Sequence, residues 1–296
     1  MTGRGRLLFS GGSLGENMDT SSISFTALYT GHVWYKHGMS ARFFTSAQGD
    51  LMYNAVRPIN FVGEHLLGMS LSDMLLQRHR IMDHRVHQLI EQEGVTQILE
   101  IACGLSPRGY AFSRQYPHLH YVEADLPGMA TRKQSLLLRH QGFGPNHKVV
   151  ACNIFESGAP NGLDHVLANV LEPGRPTIII TEGLVNYFDL PTISGFWKKL
   201  AQLGRQFPAA WYLTDLVPEV KEFHRRVLVS AAQKALGVMT QSHTNLHFRS
   251  DSDVERGFRG CGFQSVIVHK PEDFYDALDI PRSPGKSYVR VVEVRC

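Results

Sequence analysis

No stretch of the 296-residue sequence approaches the ~20 consecutive apolar residues that a membrane-spanning helix needs. The N-terminal "MTGRGRLLFSGGSLGENM" carries too short an apolar run for a signal peptide and reads as a flexible Gly/Ser-rich arm over residues 1–20. Cysteine is scarce, and Cys103, Cys152, Cys261 and Cys296 stand far apart with no C-x-x-C pair, which argues against a zinc site and a disulfide framework alike. Lone cysteines suit a reducing cytoplasm, and no metal is expected. The net charge is only +3 and its basic residues form no run, so the electrostatic footprint of a nucleic-acid binder is missing. Neither G-x-G-x-x-G nor G-x-x-x-x-G-K-[ST] occurs, which removes support for a dehydrogenase or any pyrophosphate-bearing cofactor. Low-complexity tracts and internal repeats are absent as well.

What is present is the composition of a soluble globular chain, 43% hydrophobic and 19% charged. One domain over residues 21–296 is expected. Its first part, 21–69, mixes aromatics, His and Gly ("SFTALYTGHVWYKHGMSARFF") without β alternation and reads as short helices with irregular joints, a helical cap. The core, 70–296, opens with "SLSDMLLQRHRIMDHRVHQLIEQEG", where Met74, Leu75, Ile81, Met82, Val86, Leu89 and Ile90 recur at helical spacing. A Ser cap at Ser70 or Ser72 starts that helix and Gly94 stops it.

Apolar, β-rich runs follow at 97–102, 119–124, 147–151, 177–181 and 210–215, separated by helical or loop stretches, the pattern of parallel βαβ units. "FQSVIVHK" (263–270) and "SYVRVVEVRC" (287–296) are joined too closely for a crossover helix, so an antiparallel pair is expected at a sheet edge. The fold class is α/β, a doubly wound and mostly parallel sheet. In "PEVKEFHRRVLVSAAQKALG" a further helix, about 219–237, forms either a lid or a plain cover for one sheet face.

Open α/β sheets bind ligands beyond the carboxyl ends of their strands, near the point where strand order reverses. The first strand, "ILEIACGLSPRG", carries Glu100 near its end and stops at the small-residue turn Ala102-Cys103-Gly104. There backbone can approach a ligand, and Gly104 can take a left-handed conformation at little cost. The second strand ends "HYVEADLPG"; Glu123 and Asp125, two apart, face the same way, and an acid there can accept both hydroxyls of a ribose or simply be a solvated strand end. The fourth ends "IIITEGLVNYF". Glu182 after three isoleucines would be costly if charged and unpaired, so it requires a cation: a sulfonium or amino group of a ligand, or Arg78 or Arg80 on the preceding helix.

These pieces together resemble the leucine carboxyl methyltransferase family, in its bacterial polyketide O-methyltransferase branch. The matching stretches are "TALYTGHVWYKHG", "QRHRIMDHRV", "LEIACGLSPRGY", "YVEADLPGMATRKQSLL" and "TEGLVNYF", spanning about residues 24–190. The resemblance implies a class I methyltransferase sheet and S-adenosylmethionine as cofactor. By register it implies Arg78, with Arg80 as fallback, on the methionine carboxylate. It also implies Asp125 on the ribose and Glu182 near the methionine end; Glu123, on the same face of its strand, is the alternative holder of the ribose. The turn Ala102, Cys103 and Gly104 stands where the family has G-A-G. Asn153, followed by Ile154, stands where it has the Asp that meets the adenine amino group; an Asn carbonyl can accept the same bond.

The expected reaction is O-methyl transfer to a carboxylate of a small aromatic or polyketide-type acid. A carboxylate acceptor is already ionised at neutral pH, whereas a phenol calls for a base such as His32. Tyr187 would border the reacting oxygen or bond to backbone. Helical spacing puts Tyr29, His32 and Lys36 on one face; with Trp34 and Tyr35 they form either an acceptor wall or the packing core of the cap. Other readings are a non-catalytic nucleoside-binding relative and a protein C-terminal carboxyl methyltransferase. The expected partner is a small-molecule acceptor, with no nucleic acid and no membrane, and the sequence leaves a homodimer open.

Overall fold

The computed structural model describes residues 20–219, 245–283 and 287–296, with backbone alone at 20–25, 66 and 67. The expected arm over 1–20 and the helix of about 219–237 therefore lie, apart from Thr20 and Glu219, outside the described residues.

The segment 21–69 departs from expectation. It is helical, but in place of short helices with irregular joints it forms two long ones, α1 (Thr20–Lys36) and α2 (Ala47–Leu67), joined through a 3-10 turn at Arg42–Phe44. Their apolar stripes are hard to see in sequence because α1 is covered on two sides, leaving no clean polar face, and because Pro58 lies inside α2, where a proline is normally a breaker. Tyr29, Val33, Val56, Leu75 and Leu76 make the small core of this cap.

Helix α3 (Leu71–Glu93) begins as predicted: the Ser70 side chain accepts from Asp73 N and Asp73 returns the bond to Ser70 N, while Gly94 closes the helix at φ 68°. The strands are β1 (Gln97–Ile101), β2 (His120–Asp125), β3 (His147–Ala151), β4 (Thr177–Thr181), β5 (Ala210–Leu216), β6 (Ser265–His269) and β7 (Arg290–Arg295). Between them run α4 (Arg108–Gln115), α5 (Pro127–Arg139), α6 (Leu163–Asn169), α7 (Leu190–Gly204) and α8 (Asp251–Gly260).

The sheet order is β3-β2-β1-β4-β5-β7-β6. The first five strands are parallel and β7 is antiparallel to both β5 and β6, as the tail of the sequence suggested. Strand order reverses between β1 and β4, so the switch point lies where the turn at 102–104 and Glu182 emerge. Alternation along β1 sends Leu99 and Ile101 to one face, packed with Leu163, Val166, Ile193, Trp197 and Phe258. Ile98 goes to the other face, under Ile81, Met82, Val86 and Leu89 of α3. Glu100 shares that second face. Among the described residues no helix is long and apolar enough to cross a membrane.

Candidate active site

The turn after β1 is tight because two of its residues are left-handed. Gly104 has φ 47° and Ala102 has φ 52°. For alanine this conformation costs on the order of 1 kcal/mol, the Cβ crowding the following carbonyl. The amide of Gly104 donates to Oδ2 of Asp125 and that of Leu126 to Oδ1, each at 2.7 Å. Asp125, the last residue of β2, is thus pinned to the turn by backbone donors, and each oxygen keeps a lone pair for a hydroxyl. Burial pushes its carboxyl up; the two amides and Lys133 oppose that without cancelling it.

Glu123 does not join it. The two acids share a face of β2, as alternation requires, but Glu123 lies two residues deeper and is fully buried. Its carboxylate is paired with Lys133 of α5 and with His147 Nε2 at 2.8 Å. Gly109 of α4 closes over it, where a Cβ would come within 2.5 Å of Glu123 Cδ. Burial alone would raise this carboxyl; Lys133 and His147 outweigh it and hold it below the usual range. Its assignment to the cofactor is therefore corrected: it belongs to a closed ionic core beneath the site.

Glu182 finds the cations its burial demanded, and they are protein groups. Oε1 accepts from Arg78 Nε at 3.1 Å; Oε2 lies 2.7 Å from Arg108 Nη2 and 2.8 Å from His79 Nδ1. Although burial would raise it, these neighbours hold its carboxyl well below the carboxylate range. Arg78 also donates from Nη1 to Asp215 Oδ2 at 3.0 Å, and Asp215 Oδ1 accepts the Gly183 amide at 2.6 Å. Arg80, the fallback, points away to Asp279 at the surface.

Three members of this network escaped the sequence reading. Asp215 is the penultimate residue of β5 and Glu182 follows β4, so the same signal, an acid near the end of a buried strand, would have found it. Arg108 lay inside the quoted "ILEIACGLSPRG", and His79 stands beside Arg78.

Asn153, after β3, has its carbonyl Oδ1 engaged by Phe155 N at 3.1 Å and donates from Nδ2 to Glu156 at 3.0 Å, an Asx turn that shapes the loop. Ile154 is buried in the core facing α6 and α7, while Phe155 is half-exposed against Phe188, ring centroids 4.8 Å apart.

The cap meets the strand tips along one face of α1. Tyr187, in the 3-10 turn after β4, donates its hydroxyl to Thr26 Oγ1 at 3.0 Å. Ala27 stands over Gly104, Gly31 abuts Leu105, and the Trp34 ring lies against His79 with centroids 4.7 Å apart. Tyr29 and His32 do share a face, but it is the one turned to α2 and α3. Tyr29 bonds Ser72 and Asn60; His32 pairs Nε2 with Asp50 at 3.0 Å and packs on Tyr53, with part-buried Tyr35 at its edge. Neither His32 as base nor Tyr29 and Tyr35 as acceptor wall is brought to the strand tips. Of that group only Trp34 reaches them.

The family model for leucine carboxyl methyltransferase matches residues 37–198, a span that contains Arg78, the 102–104 turn, Asp125, Asn153 and Glu182. No curated protein matches the chain. Among solved structures, a DUF574 family protein from Streptomyces avermitilis aligns with TM-score 0.55 and 13% identity, covering 92% of this chain and 99% of its own. A candidate methyltransferase from Thermobifida fusca aligns with TM-score 0.54 and 15% identity, covering 93% of each. At such identities these two likenesses speak to the fold.

Proposed function

The chain belongs to the leucine carboxyl methyltransferase family, and from that premise we propose that it uses S-adenosylmethionine to methylate a carboxylate oxygen of a small aromatic or polyketide-type acid. Bound there, the cofactor supplies an electrophilic methyl group on a sulfonium. The residues at the strand tips suit it. Asp125 offers a lone pair on each oxygen to ribose hydroxyls, beside a turn whose backbone is bare of large side chains. Arg78, its plane fixed by Glu182 and Asp215, has an Nη2 with no hydrogen-bond partner among the described residues, suited to a carboxylate. Asn153, after β3, is the residue assigned to the base, its side-chain carbonyl keeping one lone pair beside the bond from Phe155 N, whereas Ile154 packs into the core.

One observation carries the choice of oxygen nucleophile. A phenol with an ordinary pKa near 10 calls for a base, and the histidine expected to supply it, His32, is turned away and paired with Asp50. A carboxylate needs none, so catalysis rests on alignment of donor and acceptor. Tyr187, tied to Thr26, holds the cap against the tip of β4 and thereby limits water.

The test is transfer of labelled methyl into a panel of aromatic carboxylic acids and phenols, followed by alkali. Label that enters the acids and is released as methanol supports the proposal; label that enters only phenols and resists alkali overturns it.

A further inference from the structure

Arg108 is sealed from solvent, so no ligand reaches it. It is nevertheless the hub of the ionic network at the switch point. Nε donates to Asp83 on α3, Nη1 to Glu100 Oε1 at 2.8 Å, and Nη2 to Glu182 Oε2 at 2.7 Å. Glu100 is itself fixed, since its other oxygen accepts the Tyr121 hydroxyl at 2.7 Å, which anchors the hub to β1 and β2. Four carboxylates, Asp83, Glu100, Glu182 and Asp215, thus converge on two guanidiniums, Arg78 and Arg108, with His79 between them.

The geometry separates two jobs. Arg78 is 14% exposed and spends Nε and Nη1 on Glu182 and Asp215; Nη2 lies over Gly183. Glu182 and Asp215 together set the direction in which Nη2 points, and the far oxygen of Glu182 is held by Arg108 with His79 beside it.

We propose that Arg108 is a positioning residue for the amino-acid end of the methyl donor: it holds Glu182, Glu182 orients Arg78, and Arg78 meets the donor's carboxylate. The inference rests on the donor reading given above. Lysine cannot replace the hub, because one ammonium cannot reproduce three directed bonds from a planar fork. The defect should therefore fall on ligands that carry the methionine-type carboxylate and spare those that lack it. Loss of packing alone would weaken both.

Calorimetric titration of the full chain with S-adenosylhomocysteine and with 5′-methylthioadenosine, which lacks the amino-acid end, separates these cases. Arg108→Lys is expected to weaken S-adenosylhomocysteine at least tenfold and methylthioadenosine less than twofold. Arg78→Lys is expected to do the same, and the double variant to lose no more than the weaker single, since both act through one contact. Equal losses on the two ligands, or losses that multiply in the double variant, would overturn the proposal. Should Arg108→Lys fail to fold, Asp83→Ala frees one edge of Arg108 from its partly exposed partner, and the same selective loss on a smaller scale is expected; an unselective loss, or none, overturns it. A folded wild type that binds neither ligand removes the donor reading itself, and the proposal with it.

Discussion

The guanidinium of Arg78 passes so close to Gly183 that a side chain there would collide with it: a Cβ at position 183 would stand 2.8 Å from Nη2, and the residue already sits at φ 69°. The "EGL" stretch is therefore a steric requirement as much as an electrostatic one. Glu182 supplies the charge that Arg78 needs, and the residue after it must be small enough to let that arginine lie flat.

Ala102→Gly should stabilise the protein by about 0.5–1 kcal/mol, because relief at φ 52° outweighs the extra freedom glycine gives the unfolded chain. Denaturant titration reads this as a higher midpoint with unchanged slope. A lower midpoint would mean that the alanine is at ease in that turn.

Replacing His32 by Gln should leave turnover within about threefold of wild type under saturating donor and acceptor, since the ring faces α2 and Asp50. A loss of a hundredfold or more, of the size that removal of a general base produces, would restore it to the chemistry.

Lys133→Met should cost on the order of 3–5 kcal/mol, because it leaves the Glu123 carboxylate fully buried with His147 as its remaining partner. The double variant Lys133→Met/Glu123→Gln should be less destabilised than the single, as no uncompensated charge is left. Chemical unfolding of the three proteins measures the difference; equal or greater loss in the double variant would mean that the ion pair is not what the lysine serves.

The pH dependence of stability has a definite sign at Glu182. Its carboxyl titrates in the fold below its free value of 4.5, so it adds stability above that pH, and the contribution drains away as pH falls from there through the folded-state value. Burial raises Asp125 and Asp215 instead, so these two work in the opposite direction on acidification. Comparing wild type with Glu182→Gln isolates one group: the variant should be the less stable at pH 7, and the gap should narrow below about pH 4.5. A gap constant down to pH 3 would show that the carboxylate's charge is not what its partners stabilise.

How far the sequence could be read depended on whether a signal was local. The order of five parallel strands and an antiparallel pair was legible because each strand is a short apolar run between breakers, and the α3 caps were legible because Ser70, Asp73 and Gly94 act on their own backbone. Asp125 and Glu182 stood out as acids at strand ends. The partners they chose did not, since Arg108, His79 and Asp215 come together only when α3, α4, β4 and β5 are assembled. Glu123 misled for the same reason. Alternation fixes which face of β2 it occupies, but not that α4 lies over it at Gly109 while Asp125, at the strand tip, meets the turn at Gly104. In the cap, spacing correctly grouped Tyr29 with His32; it could not say whether that face turned to the strand tips or to α2.

The central claim, that Asp125 and Arg78 at neighbouring strand tips hold a methyl-donating nucleoside, is tested most directly by calorimetric titration of S-adenosylmethionine into folded wild type and Asp125→Ala. Saturable binding by the wild type, weakened in the variant by ~1.5–3 kcal/mol for the lost charge-assisted contact, is the predicted result. No heat of binding to wild type at high protein concentration, or equal affinity in both proteins, would contradict it.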